Sequence, residues 1–285
     1  MTRAGVVRRD DGSALRALRV GVHPEALVVH VGTDVVVRTP GRPDHRAGNV
    51  VDLLAPPEAT SVDARLVDVR RLMAPLGVPH LHLRYELPTG AADDDARVAA
   101  LTAAGCTASV LRVLDVGGDA LPQPVAPPAD VRIDRLAGPD GDVVAGRRWY
   151  AASVLDRYAH GDDVTAWRDR DAEWGAWDRE RVTALARAGR AEVWLASRHG
   201  MPVAALTLLD DRDGLAVVEG VVTHPAHRRR AIARALLGSA LASLADARRP
   251  DRVALAVTVG SPGEALARDL GFAALRDVHA WSRPA

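Results

Sequence analysis

The stretch Val221-Val-Thr-His-Pro-Ala-His-Arg-Arg-Arg-Ala-Ile-Ala-Arg-Ala-Leu-Leu237 decides how this chain is read. An apolar strand runs up to Thr223, His224-Pro225 turns the chain, three arginines follow, and a helix opens on small residues. A helix N-terminus offers N–H groups without intrahelical partners and the positive end of the helix dipole, so this is a place for phosphate. Small side chains at Ala231 and Ala233 would let a pyrophosphate approach the backbone. The plain alternative is a strand-to-helix turn with a solvated arginine cluster.

Upstream of this stretch, Glu192–Ser197, Pro202–Leu209 and Leu215–Thr223 read as successive strands, after a strand at Val131–Leu136 and helices at Arg147–Tyr158 and Glu173–Ala188. Downstream, the pattern predicts a helix over Arg228–Ala247, with Ile232, Leu236, Leu237, Leu241 and Leu244 on one stripe. A strand Val253–Val259, a helix Glu264–Leu270 and a closing strand Val278–Arg283 follow. The first part holds strands within Ala26–Val37, Val50–Ala55, Pro79–Leu87 and Cys106–Leu114, and helices at Ser61–Met73 and Asp93–Ala104. Helices and strands mix without strict alternation, so the expected class is α+β.

Leu121-Pro-Gln-Pro-Val-Ala-Pro-Pro-Ala129 marks a seam, because proline fixes φ and removes N–H donors. It divides the chain into residues 1–120, a connector 121–129, and residues 130–285. At 285 residues, two domains are expected, and 48% hydrophobic residues suffice for a real core. Leu101-Thr-Ala-Ala-Gly-Cys106 and Ala267-Arg-Asp-Leu-Gly-Phe272 echo one another across the seam. Each reads as a helix, a glycine at its exit, an apolar anchor, then a strand.

The chain carries 37 basic and 37 acidic residues, and every basic one is arginine. Each half is balanced to within one charge, so nucleic acid is not the implied partner. The single cysteine, Cys106, excludes an internal disulfide and is expected buried on a strand as a small hydrophobe. The first residues run into Arg8-Arg9-Asp10-Asp11 without an apolar core of signal-peptide length, and the apolar stretch Ala231–Ala245 is broken by Arg234. The expectation is a cytoplasmic protein with no membrane partner.

The stretch around Arg228-Arg229-Arg230-Ala231-Ile232-Ala233, after Val222-Thr223-His224-Pro225, resembles the acyl-CoA signature of the GNAT acyltransferase superfamily, Arg/Gln-x-x-Gly-x-Gly/Ala. Asp269-Leu-Gly-Phe272 resembles the family's closing leucine-glycine-phenylalanine, and the order of elements from Val131 to Arg283 is similar to the family plan. The resemblance implies two GNAT-like domains, each a mixed, mostly antiparallel sheet flanked by helices. It also implies acetyl-CoA as cosubstrate, held by Val221, Val222, Thr223, Arg228, Arg229, Arg230, Ala231, Ile232 and Ala233. The implied reaction is acetyl transfer to a primary amine, on a small molecule or a protein, with no metal. A non-catalytic acyl-CoA sensor or a partner-binding module is the other reading, and a homodimer is one assembly compatible with either.

Three positions depart from the family pattern. Ala231 stands where glycine is usual, and as a first-turn helical residue it is expected to need no positive φ. Ala267 stands where a tyrosine commonly protonates the leaving thiolate, and Gly260 where an asparagine is often found. The first part is similar, more distantly, to the degenerate N-terminal domain of tandem GNAT proteins, most of all in Arg38–Asn49. It has Leu53-Leu-Ala-Pro-Pro57 where Arg228–Ala233 would fall, so no cofactor is expected there.

On the strand Leu215–Thr223, alternation puts Val217, Glu219, Val221 and Thr223 on one face, with Glu219 the only ionisable side chain among them. The family draws its base from positions matching Val217 or Glu219, which leaves Glu219. A carboxylate paired with a nearby arginine for structural reasons remains the alternative. Trp167, Trp174 and Trp177 lie among Asp and Arg residues where the resemblance puts the acceptor, and core tryptophans are the other reading. His80-x-His82 places two imidazoles on one strand face, yet no third ligand is spaced for a metal.

Overall fold

Runs of valine and leucine punctuated by glycine turn the first part of the chain into short paired strands. The computed structural model describes residues 14–136, 151, 155, 178–247 and 250–284. They form two compact units, Met1–Leu114 with Ala256–Ser261 and Ala274–Ala285, and Asp115–Leu255 with Pro262–Ala273.

The first unit opens with helix α1 (Ala14–Val20), which the sequence reading did not anticipate, and a hairpin of β1 (Leu27–Val31) and β2 (Asp34–Arg38). Gly32, at φ +62°, supplies the left-handed turn that joins these strands. β3 (Val50–Asp52), α2 (Val62–Met73), β4 (Leu81–Leu87), α3 (Asp95–Ala103) and β5 (Thr107–Gly117) follow, β5 beginning in this unit. β3 runs antiparallel to β2 and parallel to β4. Its core gathers Val36, Val51, Leu66, Val69, Leu83, Tyr85, Leu101 and Cys106. Burial pushes the Cys106 thiol up from its ordinary range, as suits an inert hydrophobe. Asp52, at the end of β3, is buried between Arg19 at 2.9 Å and Arg84 at 2.7 Å.

The last strand of the chain, β11 (Ala273–Arg283), lies almost entirely in this unit, pairing antiparallel with β4 from Asp277↔Leu87 to Arg283↔Leu81. Its side chains tie it down at several points. Asp277 accepts from Arg112 at 2.7 Å and from the Gly90 N–H at 2.8 Å. Trp281 Nε1 donates to the Tyr85 hydroxyl at 2.9 Å, and that hydroxyl donates to Asp93 at 2.5 Å.

The second unit is an antiparallel run of β6 (Val131–Arg135), β7 (Ala191–Arg198), β8 (Met201–Asp210) and β9 (Leu215–Thr223), with β10 (Arg252–Thr258) parallel beside β9. Helix α4 (residues 178–187) contributes Val182 to a core with Val193, Leu195, Ala205 and Val222. Helix α5 (Ile232–Ala247) packs on β7, β8 and β9, burying Ile232, Leu236, Leu237 and Leu241. Each of those side chains contributes about 2 kcal/mol by leaving water. The proline-rich stretch lies against this helix, where a Cβ on Gly238 would sit 3.4 Å from the Val125 nitrogen. Among the described residues no helix is long and apolar enough to cross a membrane.

The echo between the two parts reappears as geometry. At the end of α3, Gly105 (φ +78°) donates to Thr102 O and Cys106 donates to Leu101 O. At the end of α6 (Pro262–Asp269), Gly271 (φ +89°) donates to Arg268 O and Phe272 donates to Ala267 O. Both are the same left-handed helix stop, with an apolar residue locked into the core one position later.

Candidate active site

The strand β9 ends at Thr223, where the His224 N–H bonds Val203 O at 2.9 Å. A single 3-10 turn, Pro225–His227, follows, with His224 Nδ1 accepting from the Ala226 N–H at 3.3 Å. Arg228 then folds back, its Nε donating to Thr223 O at 3.2 Å. The helix expected from Arg228 begins instead at Ile232, so the three arginines belong to the turn. All three are exposed. Ala231 is therefore not a first-turn helical residue: it sits at φ +58°, with Arg229 at +60°. The expectation that position 231 needs no positive φ is wrong, because the chain must reverse sharply before the helix axis is set. The first helical bond in this turn runs from Ala235 N–H to Ala231 O at 3.0 Å. The N–H groups of Ile232, Ala233 and Arg234 precede the ladder, as an anion site requires.

Cationic groups gather around this turn. His227 is held below its ordinary pKa, by burial first and then by Arg198, His224 and Arg230. Its Nδ1 is buried without a hydrogen-bond partner among the described residues. Arg198, from the β7–β8 hairpin, pairs with Asp130 at 2.5 Å, and that bond chiefly holds the Asp130 carboxyl low. Sequence reading missed Arg198, because nothing local marks a hairpin as neighbour to a turn many residues away. Arg234, in the first turn of α5, is taken by Asp269.

Within β9 the register breaks. Thr207 pairs with Glu219 and Ala205 with Val222, so Gly220 and Val221 oppose Leu206 alone. Gly220 adopts φ +62° and makes this bulge possible. The extra residue undoes the simple alternation. Val222, facing Ala205, shares the side of Val217 and Glu219, whereas Thr223 falls on the other side with Val218. The expected common face of Val217, Glu219, Val221 and Thr223 is corrected accordingly. Parallel pairing with β10 runs only from Leu215↔Arg252 to Val218↔Leu255. Among the described residues no pairing of Glu219–Thr223 with a strand on that flank is seen.

Glu219 points toward α4, where Arg181 donates to its Oε2 at 2.6 Å. Arg181 also bonds Asp178 Oδ1 at 2.7 Å. Burial pulls the Arg181 guanidinium down, but the two carboxylates outweigh it and hold it above its ordinary range. Arg181 was not singled out in the sequence, since α4 is crowded with Asp and Arg and only packing shows which is buried.

Ala267 is fully buried and offers no hydroxyl, and Gly260 follows β10 at φ +74°. Trp167, Trp174 and Trp177 lie outside the described residues. His82 Nδ1 contacts Arg46 O at 3.2 Å. Among the described residues no cluster of three or more His, Cys, Asp or Glu could hold a metal.

A mostly antiparallel sheet flanked by helices, with a bulged fourth strand and a helix rising from an arginine turn, is the GNAT fold. Residues 161–272 match the model of the Acetyltransferase (GNAT) family. Solved structures share the architecture. A GCN5-related N-acetyltransferase from Kribbella flavida aligns at TM-score 0.60 and 19% identity, over 99% of this chain and 96% of that one. A tandem GNAT protein from the clavulanic acid biosynthesis pathway aligns at 0.55 and 18%, over 94% and 87%. A conserved protein of unknown function from Staphylococcus epidermidis aligns at 0.69 and 12%, over 90% and 92%. No curated protein matches the chain.

Proposed function

We propose that the second unit transfers an acetyl group from acetyl-CoA to a primary amine on a small molecule or protein. The observation that carries this reading is the turn Arg228–Ala233, with exposed arginines and unladdered N–H groups at the start of α5. There the pyrophosphate would meet both the helix dipole and the charge of the exposed arginines. The unpaired flank of β9 at Glu219–Thr223 suits the amides of pantetheine, and a strand N–H near Val222 would polarise the thioester carbonyl. In this reading the cosubstrate sits on the second unit, at the turn Arg228–Ala233.

In the reaction, the neutral amine nitrogen attacks the thioester carbon, the C–S bond breaks, and the nitrogen loses one proton. Glu219, directly or through water, is the group proposed to accept it. With Ala267 in place of a hydroxyl, the leaving thiolate takes its proton from water, and the proton that Glu219 accepted from the amine returns to solvent. Ala267 also favours the second reading, in which the protein binds acyl-CoA without turnover.

The test is a thermal melt with acetyl-CoA, followed by CoA release and product mass across a panel of amines. Ligand at 100 times Kd adds about 2.7 kcal/mol to stability. Stabilisation with product supports the transferase, stabilisation without product the sensor, and a flat melt at millimolar acetyl-CoA removes both. Arg228→Ala with Arg230→Ala should weaken CoA far more than a pantetheine fragment lacking the pyrophosphate. Equal losses would assign the arginines to folding. Glu219→Gln should lower kcat by ~10²-fold with acetyl-CoA affinity nearly intact. An unchanged rate from pH 6 to 9 would exclude it as the base.

A further inference from the structure

We propose that Arg181 is the positioning residue for Glu219, gripping one carboxylate oxygen so that the other is presented to the acceptor amine. The inference rests on the reading of Glu219 as the base. The asymmetry of the pair carries it. The Arg181 side chain is 7% exposed, whereas that of Glu219 is 43% exposed. A pair serving packing alone would sink both partners. Here the cation is sunk, and the anion surfaces at the bulge, beside the unpaired flank of β9.

A planar guanidinium fixes direction as well as charge, because its N–H donors sit in a rigid fork. Asp178 accepts from Nε at 3.1 Å and from the NH2 nitrogen at 2.7 Å, which locks the fork from behind. The same NH2 nitrogen reaches Glu219 Oε2 at 2.6 Å. Two carboxylates against one cation also offset the cost of burying Arg181, and leave one negative charge at the acceptor side. The bulge at Gly220 completes the arrangement by keeping Glu219 and Val222 on the face that meets α4. Among the described residues of α4, Arg181 is the charged side chain bonded to Glu219, with Asp178 behind it on Arg181. Thr207, opposite on β8, and Val217 and Val222 on the same face of β9 do not titrate.

The experiment uses the full chain carrying Arg181→Met or Arg181→Lys, each alone and combined with Glu219→Gln, assayed with acetyl-CoA and the best amine of the panel. Arg181→Met should lower kcat roughly 10-fold or more, hold the KM for acetyl-CoA, and move the acidic limb of the kcat profile to higher pH. Arg181→Lys should return the limb but recover only part of the rate, because an ammonium restores the charge without the fork. In the Glu219→Gln background, Arg181→Met should cost less than about 2-fold more, because the group it positions is gone. Equal costs in both backgrounds, or a fallen melting temperature with an unmoved limb, would overturn the assignment. Arg181→Gln replaces the Met variant if that does not fold. Titration of Glu219 by carboxyl carbon NMR needs no turnover. An upward move in the Met variant supports the positioning even if no amine is acetylated, in which case the acyltransfer reading falls instead. No move overturns the positioning whatever the rate.

Discussion

Ala231 sits in a left-handed conformation that costs a residue with a Cβ roughly 1–2 kcal/mol. Ala231→Gly relieves that strain and adds about 0.4–1 kcal/mol of unfolded-state entropy to overcome. The net gain should be about 0.5–1 kcal/mol in a urea melt, with CoA affinity retained or improved. Gly118 stands at the other extreme. Its N–H donates to Asp251 O at 2.9 Å, and a Cβ there would lie 1.8 Å from the Pro250 carbonyl oxygen. Gly118→Ala should therefore cost about 2 kcal/mol or more, read as a lower denaturation midpoint. Neither position was legible in advance. Arg-Arg-Arg-Ala carries no glycine to announce a positive φ, and Gly118 needs a partner that lies far along the chain.

At the scale of elements, the periodic segments were legible. β9 was read over Leu215–Thr223 and α2 to within a residue, because apolar spacing in long, regular stretches is set by burial on one face. The bulge was not read, although a glycine inside an apolar strand is the signal for one. Glu219 stood out as the one ionisable side chain of its expected face, and its partner Arg181 did not, since no local pattern separates a buried arginine from a solvated one. The loop Arg46–Gly48 against β4 gives a further test. Burial, with the Arg84 charge, pulls the His82 imidazole down to about 4, and burial lowers His80 as well. These rings are therefore neutral in the folded state, and the unfolded chain binds more protons below pH 6.5. Their contribution is whole above that value and is lost as the pH falls toward 4. Stability should drop by about 2 kcal/mol between pH 7.5 and 5, and His82→Gln should flatten that slope in urea melts at each pH.

At the scale of the molecule, the first unit depends on a strand from the far end of the sequence. β11 brings Asp277 to Arg112 and Gly90, and Trp281 to the Tyr85 hydroxyl. Removing residues 274–285 exposes one edge of β4, empties the place of Trp281 in the core, and takes Asp277 away from Arg112. Loss of the buried tryptophan alone costs about 3–5 kcal/mol. Residues 1–120 made alone should give broad, non-cooperative melting, and adding the strand as a peptide should restore a cooperative transition. A sharp melt without it would show that the sheet closes by itself. The same dependence sets a schedule during synthesis. Gly90 must wait for Asp277, 187 residues later, which at ribosomal speed is roughly 10–40 s. For that interval the nascent first unit carries a bare strand edge while the later-made β6–β9 meander is already free to pair. The half translated first is therefore the half finished last, and the one that a chaperone would find open.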